Sequence, residues 1–185
     1  MNEPYWWYVL FVRSNTEHRV IKDFTEFIKT SVLAYEFDLF SPESERYYRT
    51  KDKKLGKRYV KRPLFPGYVF IETNMPSEEF IKNFAQYFYG SADIIRLLKY
   101  GDSNEIAIST EERQRFEYLF KGKRCLEHSI GYMDGDRVII TAGPLIGMEG
   151  CIQKINRHNR SAKIEIEMFG QKQTIDVSLE IVEKK

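Results

Sequence analysis

The spacing of apolar residues changes along this 185-residue chain, and this change constrains the fold more than any other feature. Up to about residue 120, several stretches place apolar residues every three or four positions, which is the period of an amphipathic helix. Beyond Gly131 the apolar runs alternate with period two, which is typical of short strands. The sequence therefore predicts one domain over residues 1–122, a linker over 123–130 and a second domain over 131–185.

The first domain is predicted to follow the order βαββαβ. Its strands are predicted at Trp6–Val12, Tyr35–Phe40, Gly67–Glu72 and Ile94–Leu98. Helices are predicted to begin at Ser14, which opens an S-x-x-E capping box, and at Ser77. A second capping box at Ser109 predicts a third, short helix. The order βαββαβ is that of the split ferredoxin-like unit, in which both helices cover one face of an antiparallel sheet. The predicted fold class is α+β.

The second domain is predicted to be a small barrel. Its strand-like segments are Val138–Thr141, Cys151–Ile155, Ala162–Met168 and Gln173–Val177. Short strands at such spacing, separated by turns in a segment of about 55 residues, indicate a small barrel.

Charge is distributed unevenly. The net charge is +2, but residues Arg46–Arg62 hold nine cations and one acid, a net +8, so the remainder carries −6. Pro42 and Pro66 bracket this segment, which is predicted to form a long loop or an extended hairpin. A local positive charge on an otherwise acidic chain indicates an anionic partner. The alternative is a solvated, flexible loop.

Catalytic and metal sites are not expected. Cys125 and Cys151 lack C-x-x-C spacing, and the three histidines do not cluster with them. There is no glycine-rich phosphate loop and no nucleophile elbow. No apolar run approaches the roughly 20 residues of a membrane span. We expect a cytoplasmic monomer that is not an enzyme and that has no cofactor, no metal and no membrane partner.

Three motifs point to one family. Gly135-Asp136-Arg137-Val138 followed by Gly143–Gly150 resembles the KOW motif. Trp7-Tyr8-Val9 and the stretch Arg62–Phe70 resemble the two hallmark segments of the NusG N-terminal domain, in the right order. The chain thus resembles the NusG family of transcription elongation factors. The resemblance implies a ferredoxin-like NGN domain followed by an SH3-like, five-stranded KOW barrel.

The resemblance also implies a partner, bacterial RNA polymerase. In this family an apolar depression binds the polymerase clamp, which suppresses pausing and termination. On an extended strand Tyr68 and Phe70 share one face while Val69 and Ile71 share the other, and the helices cover only one face. The alternative is that the third helix or the barrel covers the aromatic face. The residues matched to the polymerase contact are Phe11, Phe65, Pro66, Gly67, Tyr68 and Phe70.

The turn Lys154–Lys163 is similar to the K-I-x-R-H-x-R signature of LoaP-type paralogues, which are operon-specific antiterminators that recognise a leader RNA hairpin. The predicted RNA contacts are Lys154, Arg157, His158, Arg160 and Lys163. The alternative is a solvated turn formed by Asn156 and Asn159. The predicted second nucleic-acid surface, for RNA or upstream DNA, comprises Arg46, Arg49, Lys53, Lys54, Lys57, Arg58, Lys61 and Arg62.

Other roles stay open. Phe169 matches a position that meets Rho or a ribosomal protein in NusG-type barrels, but an aromatic residue at a hairpin end is also often core. A general NusG-type factor is the main alternative function. An RNA-binding module using Gly67–Ile71, or a ribosome-associated KOW protein, are further alternatives.

Overall fold

The computed structural model describes residues 5–31, 33–48 and 58–182. Contacts divide the chain into two compact units, residues 1–41 with 65–113 and residues 42–64 with 114–185. The elements in chain order are β1 (Trp6–Val12), α1 (Glu17–Thr30), β2 (Phe37–Phe40), β3 (Glu43–Tyr48), β4 (Arg58–Pro63), β5 (Tyr68–Thr73), α2 (Ser77–Gly90), β6 (Ile94–Leu97), α3 (Thr110–Phe120), β7 (Cys125–Leu126), β8 (Ser129–Asp134), β9 (Arg137–Ala142), β10 (Ile152–Asn156), β11 (Ser161–Met168) and β12 (Gln171–Val182).

The first unit contains a four-stranded antiparallel sheet in the order β2-β5-β1-β6. The first and third strands of the βαββαβ order are the central pair, as in a ferredoxin-like sheet. The α+β fold class predicted from the sequence is confirmed.

The two faces of this sheet are both apolar. Side chains of β1 and β5 alternate between them, as the strand period requires. Val69 and Ile71 lie in the core with α1 and α2, where Phe24 and Phe84 are also buried. Trp7 and Phe70 belong to the opposite set, and their rings are 6.1 Å apart in an edge-to-face arrangement. The predicted division of β5, with Tyr68 and Phe70 on one face and Val69 and Ile71 on the other, agrees with this arrangement, and the helices cover the face of Val69 and Ile71.

Two predicted helix caps are wrong. The N-cap of α1 is Thr16, because Asn15 takes a left-handed backbone conformation (φ 67°) that leaves Ser14 outside the helix. The N-cap of α2 is Pro76, so Ser77 is the first helical residue. The cap of α3 is confirmed, since the Glu112 N–H donates to Ser109 Oγ at 3.2 Å.

The second unit contains two sheets. One has five strands in the order β10-β11-β12-β8-β9, with β12 and β8 parallel, and the other has three in the order β4-β3-β7. The four strands predicted from alternation correspond to β9 to β12. β8 was not predicted, because Gly131 interrupts its alternation. A Cβ at Gly131 would lie 2.5 Å from the Ile139 carbonyl oxygen, so a side chain cannot fit there.

The described ends of the basic segment form two paired antiparallel strands, which agrees with the hairpin, one of the two predicted forms. β3 and β4 pair from Glu43 with Pro63 to Tyr48 with Arg58. Because β3 also pairs with β7 and contacts β12, residues 42–64 group with the second unit. The residues predicted as a linker, 123–130, include β7 and the start of β8. The contacts therefore divide the chain differently from the predicted domains, whose independence stays a prediction.

Candidate functional site

The six residues matched to the polymerase contact lie where the end of β1 pairs with the start of β5, and we call them the aromatic surface. They are Phe11, Phe65, Pro66, Gly67, Tyr68 and Phe70. The register pairs Phe11 with Tyr68 across the two strands. The structure thus brings these sequence-predicted residues together.

A tight turn fixes the edge of the aromatic surface. The Tyr68 N–H donates to the Phe65 carbonyl oxygen at 3.1 Å, with Pro66 and Gly67 at the two central positions. Gly67 has φ +83°, as the second central residue of a type II turn requires. Its carbonyl accepts from the Val12 N–H at 2.8 Å, which ties the turn to the end of β1.

Glu17 supports the turn at the edge of the aromatic surface, and this role was not predicted from the sequence. Its carboxylate accepts from the Gly67 N–H at 2.6 Å, and the residue is only 5% exposed. Its place in the first turn of α1 also favours a negative charge. The sequence predicted that Glu17 belongs to a capping box, whereas its carboxylate stabilises a turn 50 residues away.

Exposure separates the aromatic surface into two layers. Phe65 and Phe70 are 4% and 0% exposed, and their rings lie 5.9 Å apart. Phe11 and Tyr68 are partly exposed, with ring centroids 5.2 Å apart. The outer pair is available to a partner, and the inner pair supports it. Substitution of Phe65 would therefore test packing as well as binding.

One cation lies beside the outer pair. The guanidinium carbon of Arg96 is 5.8 Å from the centroid of the Phe11 ring, within the range of a cation–π contact. The exposed part of the aromatic surface is therefore apolar and has the positive charge of Arg96 beside it.

The segment Lys154–Lys163, which we call the basic turn, connects β10 to β11 in the second unit. Asn159 donates its N–H to Asn156 Oδ1 at 3.0 Å, so the asparagines form the turn as one alternative predicted. The described residues Lys154, Arg157, His158 and Lys163 are exposed around it. This turn formation does not exclude RNA contacts, because the asparagine hydrogen bond and the cations use different groups.

Arg160 differs from the other cations of the turn. Its guanidinium carbon is 4.4 Å from the Tyr47 ring centroid, and its Nη1 is 3.3 Å from Glu180 Oε1. The two side chains of the ion pair are 26% and 12% exposed. Arg160 is thus engaged within the second unit rather than presented to solvent.

The second predicted nucleic-acid surface is described only in part. Arg46, Lys61 and Arg62 lie on the strands β3 and β4, and Lys61 Nζ is 3.8 Å from Glu43 Oε2. The backbone of Arg58 belongs to β4. The other predicted contacts, Arg49, Lys53, Lys54 and Lys57, lie outside the described residues.

A polar cluster holds the β3–β4 hairpin in the second unit. His128 donates its backbone N–H to Glu45 Oε2 at 3.0 Å, and its ring Nδ1 is 2.9 Å from the same oxygen. The His128 ring stacks on Tyr59 at 4.4 Å, and Ser178 Oγ donates to the Glu45 carbonyl oxygen at 2.6 Å. Partial burial raises the pKa of the Glu45 carboxyl, but the hydrogen bonds from His128 outweigh it and the pKa is lowered.

Phe169 is buried, with 7% exposure, and has a left-handed backbone (φ 53°). This placement favours the core interpretation of Phe169. Contact with Rho or a ribosomal protein stays a prediction.

Among the described residues, no three His, Cys, Asp or Glu side chains are grouped so that they could hold a metal ion. No helix in the described ranges has the length and apolar character needed to cross a membrane.

A family comparison decides the class of the protein. The family described as "Transcription termination factor nusG" matches residues 5–117, more than half of the chain. The chain belongs to the NusG family. The family comprises transcription factors, not enzymes, which agrees with the prediction from the sequence.

Curated NusG-family relatives match over nearly the whole length. The transcription termination/antitermination protein NusG of Borreliella burgdorferi is 25% identical over 96% of this chain and 97% of its own. The protein of the same description from Treponema pallidum is 27% identical over 96% and 97%. A solved structure titled "Domain interaction in Thermotoga maritima NusG" has 17% identity, covers 95% of this chain and 94% of its own, and gives a TM-score of 0.49.

Proposed function

We propose that this chain is a transcription elongation and antitermination factor that binds the clamp of bacterial RNA polymerase and suppresses pausing and termination. We further propose that it acts on specific operons by recognising a leader RNA hairpin, as LoaP-type factors do. The observation that carries the first part is the partly exposed Phe11–Tyr68 pair, supported by buried aromatic rings and a fixed turn.

The chemistry of the aromatic surface suits a protein partner with apolar side chains. Aromatic side chains dominate binding energy at interfaces because they bury a large apolar area with few rotatable bonds. The hydrogen bonds at Gly67 fix the turn that precedes Tyr68, so little ordering is needed on binding. A surface that is ordered before binding is expected to give a stable complex.

Tyr68→Ala tests polymerase binding, with Tyr89→Ala as the matched control. Tyr89 lies on α2 in the same unit and is 92% exposed, so its removal disturbs no packing. Loss of an aromatic hot spot costs about 2 kcal/mol, which is roughly a 30-fold rise in Kd. We expect this rise for Tyr68→Ala with purified RNA polymerase and wild-type affinity for Tyr89→Ala. Unchanged affinity of a folded Tyr68→Ala variant would contradict the proposal.

The RNA part of the proposal rests on exposed cations of the basic turn. Lys154, Arg157 and Lys163 are exposed within one short hairpin. Lysine and arginine bind phosphates electrostatically, and arginine can also donate two hydrogen bonds to the edge of one guanine base. A leader hairpin offers both kinds of target.

A general NusG-type role is the second candidate. Similarity to curated NusG proteins along 96% of the chain favours it. The two candidates differ in one property, since only the specialised factor requires a particular leader RNA. Transcription across a terminator, with and without the native leader, distinguishes them.

A further inference from the structure

The two basic segments that the sequence treats as separate meet within the second unit. The β3–β4 hairpin packs beside β12, where Ser178 Oγ donates to the Glu45 carbonyl oxygen. Arg160 of the basic turn reaches the hairpin through the Tyr47 ring. A ligand bound at the basic turn therefore lies next to hairpin cations.

Charged side chains form a row across four strands of this unit. Lys154 on β10 lies opposite Lys163 on β11, and Lys163 lies opposite Asp176 on β12. Arg46 on β3 extends the row, because the carbonyl oxygen of the preceding residue, Glu45, accepts from Ser178 Oγ on β12, two residues beyond Asp176. The Asp176 carboxylate also attracts the Arg46 guanidinium. Within the five-stranded sheet, neighbouring strands are about 4.8 Å apart, so Lys154 and Lys163 are closely spaced. The row holds three cations and one acid.

The row is unfavourable for a protein without a ligand. Like charges directly opposite each other on paired strands destabilise a sheet, and Lys154 and Lys163 are such a pair. The Lys163 Nζ to Asp176 Oδ1 distance is 3.9 Å and both side chains are about half exposed, so this ion pair contributes little. A line of anions would compensate all three cations at once.

We propose that Arg46, Lys154 and Lys163 form one row of phosphate contacts for a strand of RNA, and that Arg160 is the positioning residue that keeps Arg46 in this row. The proposal rests on the RNA-binding function proposed above and changes the role of Arg160 from contact to support. Arg160 is suited to that role because Tyr47 and Glu180 occupy its guanidinium. Arg46 and Tyr47 are adjacent on β3, so the contact at Tyr47 fixes the strand that carries Arg46.

The row is tested by salt-dependent RNA binding of the full chain. The probe is a fluorescent synthetic RNA stem-loop with a GC-rich stem, followed by anisotropy between roughly 50 and 200 mM KCl. Each phosphate contact removed should reduce the slope of log K against log salt by about 0.7 to 0.9. We expect this reduction for Arg46→Ala. Lys172→Ala is the control, because Lys172 is exposed and lies outside the row, and it should keep the wild-type slope.

Tyr47 distinguishes positioning from direct contact, because its side chain carries no charge. Tyr47→Phe retains the ring and should keep the wild-type slope. Tyr47→Leu should reduce the slope as much as Arg46→Ala, and the combination of both should reduce it no further. An unchanged slope for Tyr47→Leu would overturn the positioning role. Additive losses for Arg46→Ala and Arg160→Ala would also overturn it and would show that Arg160 contacts RNA itself.

The remaining outcomes separate this proposal from the proposed function. Wild-type protein that does not bind the stem-loop or the native leader would overturn RNA binding as a whole. Wild-type protein that binds while Arg46→Ala keeps the full slope would overturn only the row. Tighter binding of a DNA duplex of the same sequence, with the same loss in Arg46→Ala, would assign the row to DNA and overturn its assignment to RNA.

Discussion

Two glycine-to-alanine substitutions in the first unit should change its stability in opposite directions. Gly67 lies in the turn beneath the aromatic surface with φ +83°, and an added Cβ would be 3.1 Å from the Val12 carbonyl oxygen and 3.3 Å from Phe11 Cε2. Gly90 ends α2, and an added Cβ there would have nothing within 4 Å. Both substitutions add the same methyl group, so a difference in their effects comes from the backbone conformation and the neighbouring atoms at each site.

The magnitude follows from three terms. A left-handed conformation costs a residue with a side chain roughly 1–2 kcal/mol. The short distance between the added Cβ and the Val12 carbonyl oxygen increases this cost, because the backbone there must shift. Alanine has fewer backbone conformations than glycine in the unfolded chain, and this stabilises the folded state by about 0.4–1 kcal/mol at either site. Gly67→Ala should therefore destabilise by about 1–2 kcal/mol, and Gly90→Ala should stabilise by about 0.4–1 kcal/mol.

Urea unfolding followed by tryptophan fluorescence measures both effects. The two tryptophans, Trp6 and Trp7, lie in β1, so the signal reports on the first unit. With an m-value of about 2 kcal/mol/M, Gly67→Ala should lower the midpoint by roughly 0.5–1 M. A midpoint for Gly67→Ala at or above that of wild type would refute the account of the turn.

Two further predictions concern the second unit. The lowered pKa of Glu45 means that its contacts with His128 stabilise the fold above the ordinary carboxyl value of 4.5 and are lost as pH falls through the lower, folded value. Thermal unfolding of Glu45→Gln should thus show a smaller loss of stability on acidification than wild type, and an equal loss would contradict this. Asp176→Asn removes the only acid of the phosphate row and should raise RNA affinity several-fold at low salt, because Lys163 and Arg46 are then free of its attraction. Weaker binding in the same anisotropy assay would contradict that role.

Local patterns were sufficient for most of the first unit. A run of aromatic and β-branched residues placed Trp6–Val12 correctly, and the face of each residue on β5 followed from the strand period. Pro66 was predicted to mark the end of the basic segment, and it lies in the turn before β5, whereas Gly67, predicted as the first residue of the strand, belongs to that turn. These features depend on neighbours in sequence, which a single chain displays directly.

Contacts between distant residues could not be predicted in the same way. The bond from Gly67 to Glu17 joins positions 50 residues apart, and the cluster of Glu45 with His128 spans 83. Arg160 has the same residue type as an exposed RNA contact, and only the positions of Tyr47 and Glu180 reveal its engagement. The basic turn was therefore located from sequence, while the roles of its members required the structure.

The central claim is tested most directly by transcription in vitro across a terminator, with purified RNA polymerase and templates that carry or lack the native leader. The account predicts that the protein increases readthrough only on the leader template, and that Tyr68→Ala abolishes the increase while Tyr89→Ala retains it. Readthrough that is equal on both templates would contradict operon specificity and favour the general NusG-type role. No effect on readthrough or pausing on either template would contradict the proposed function itself.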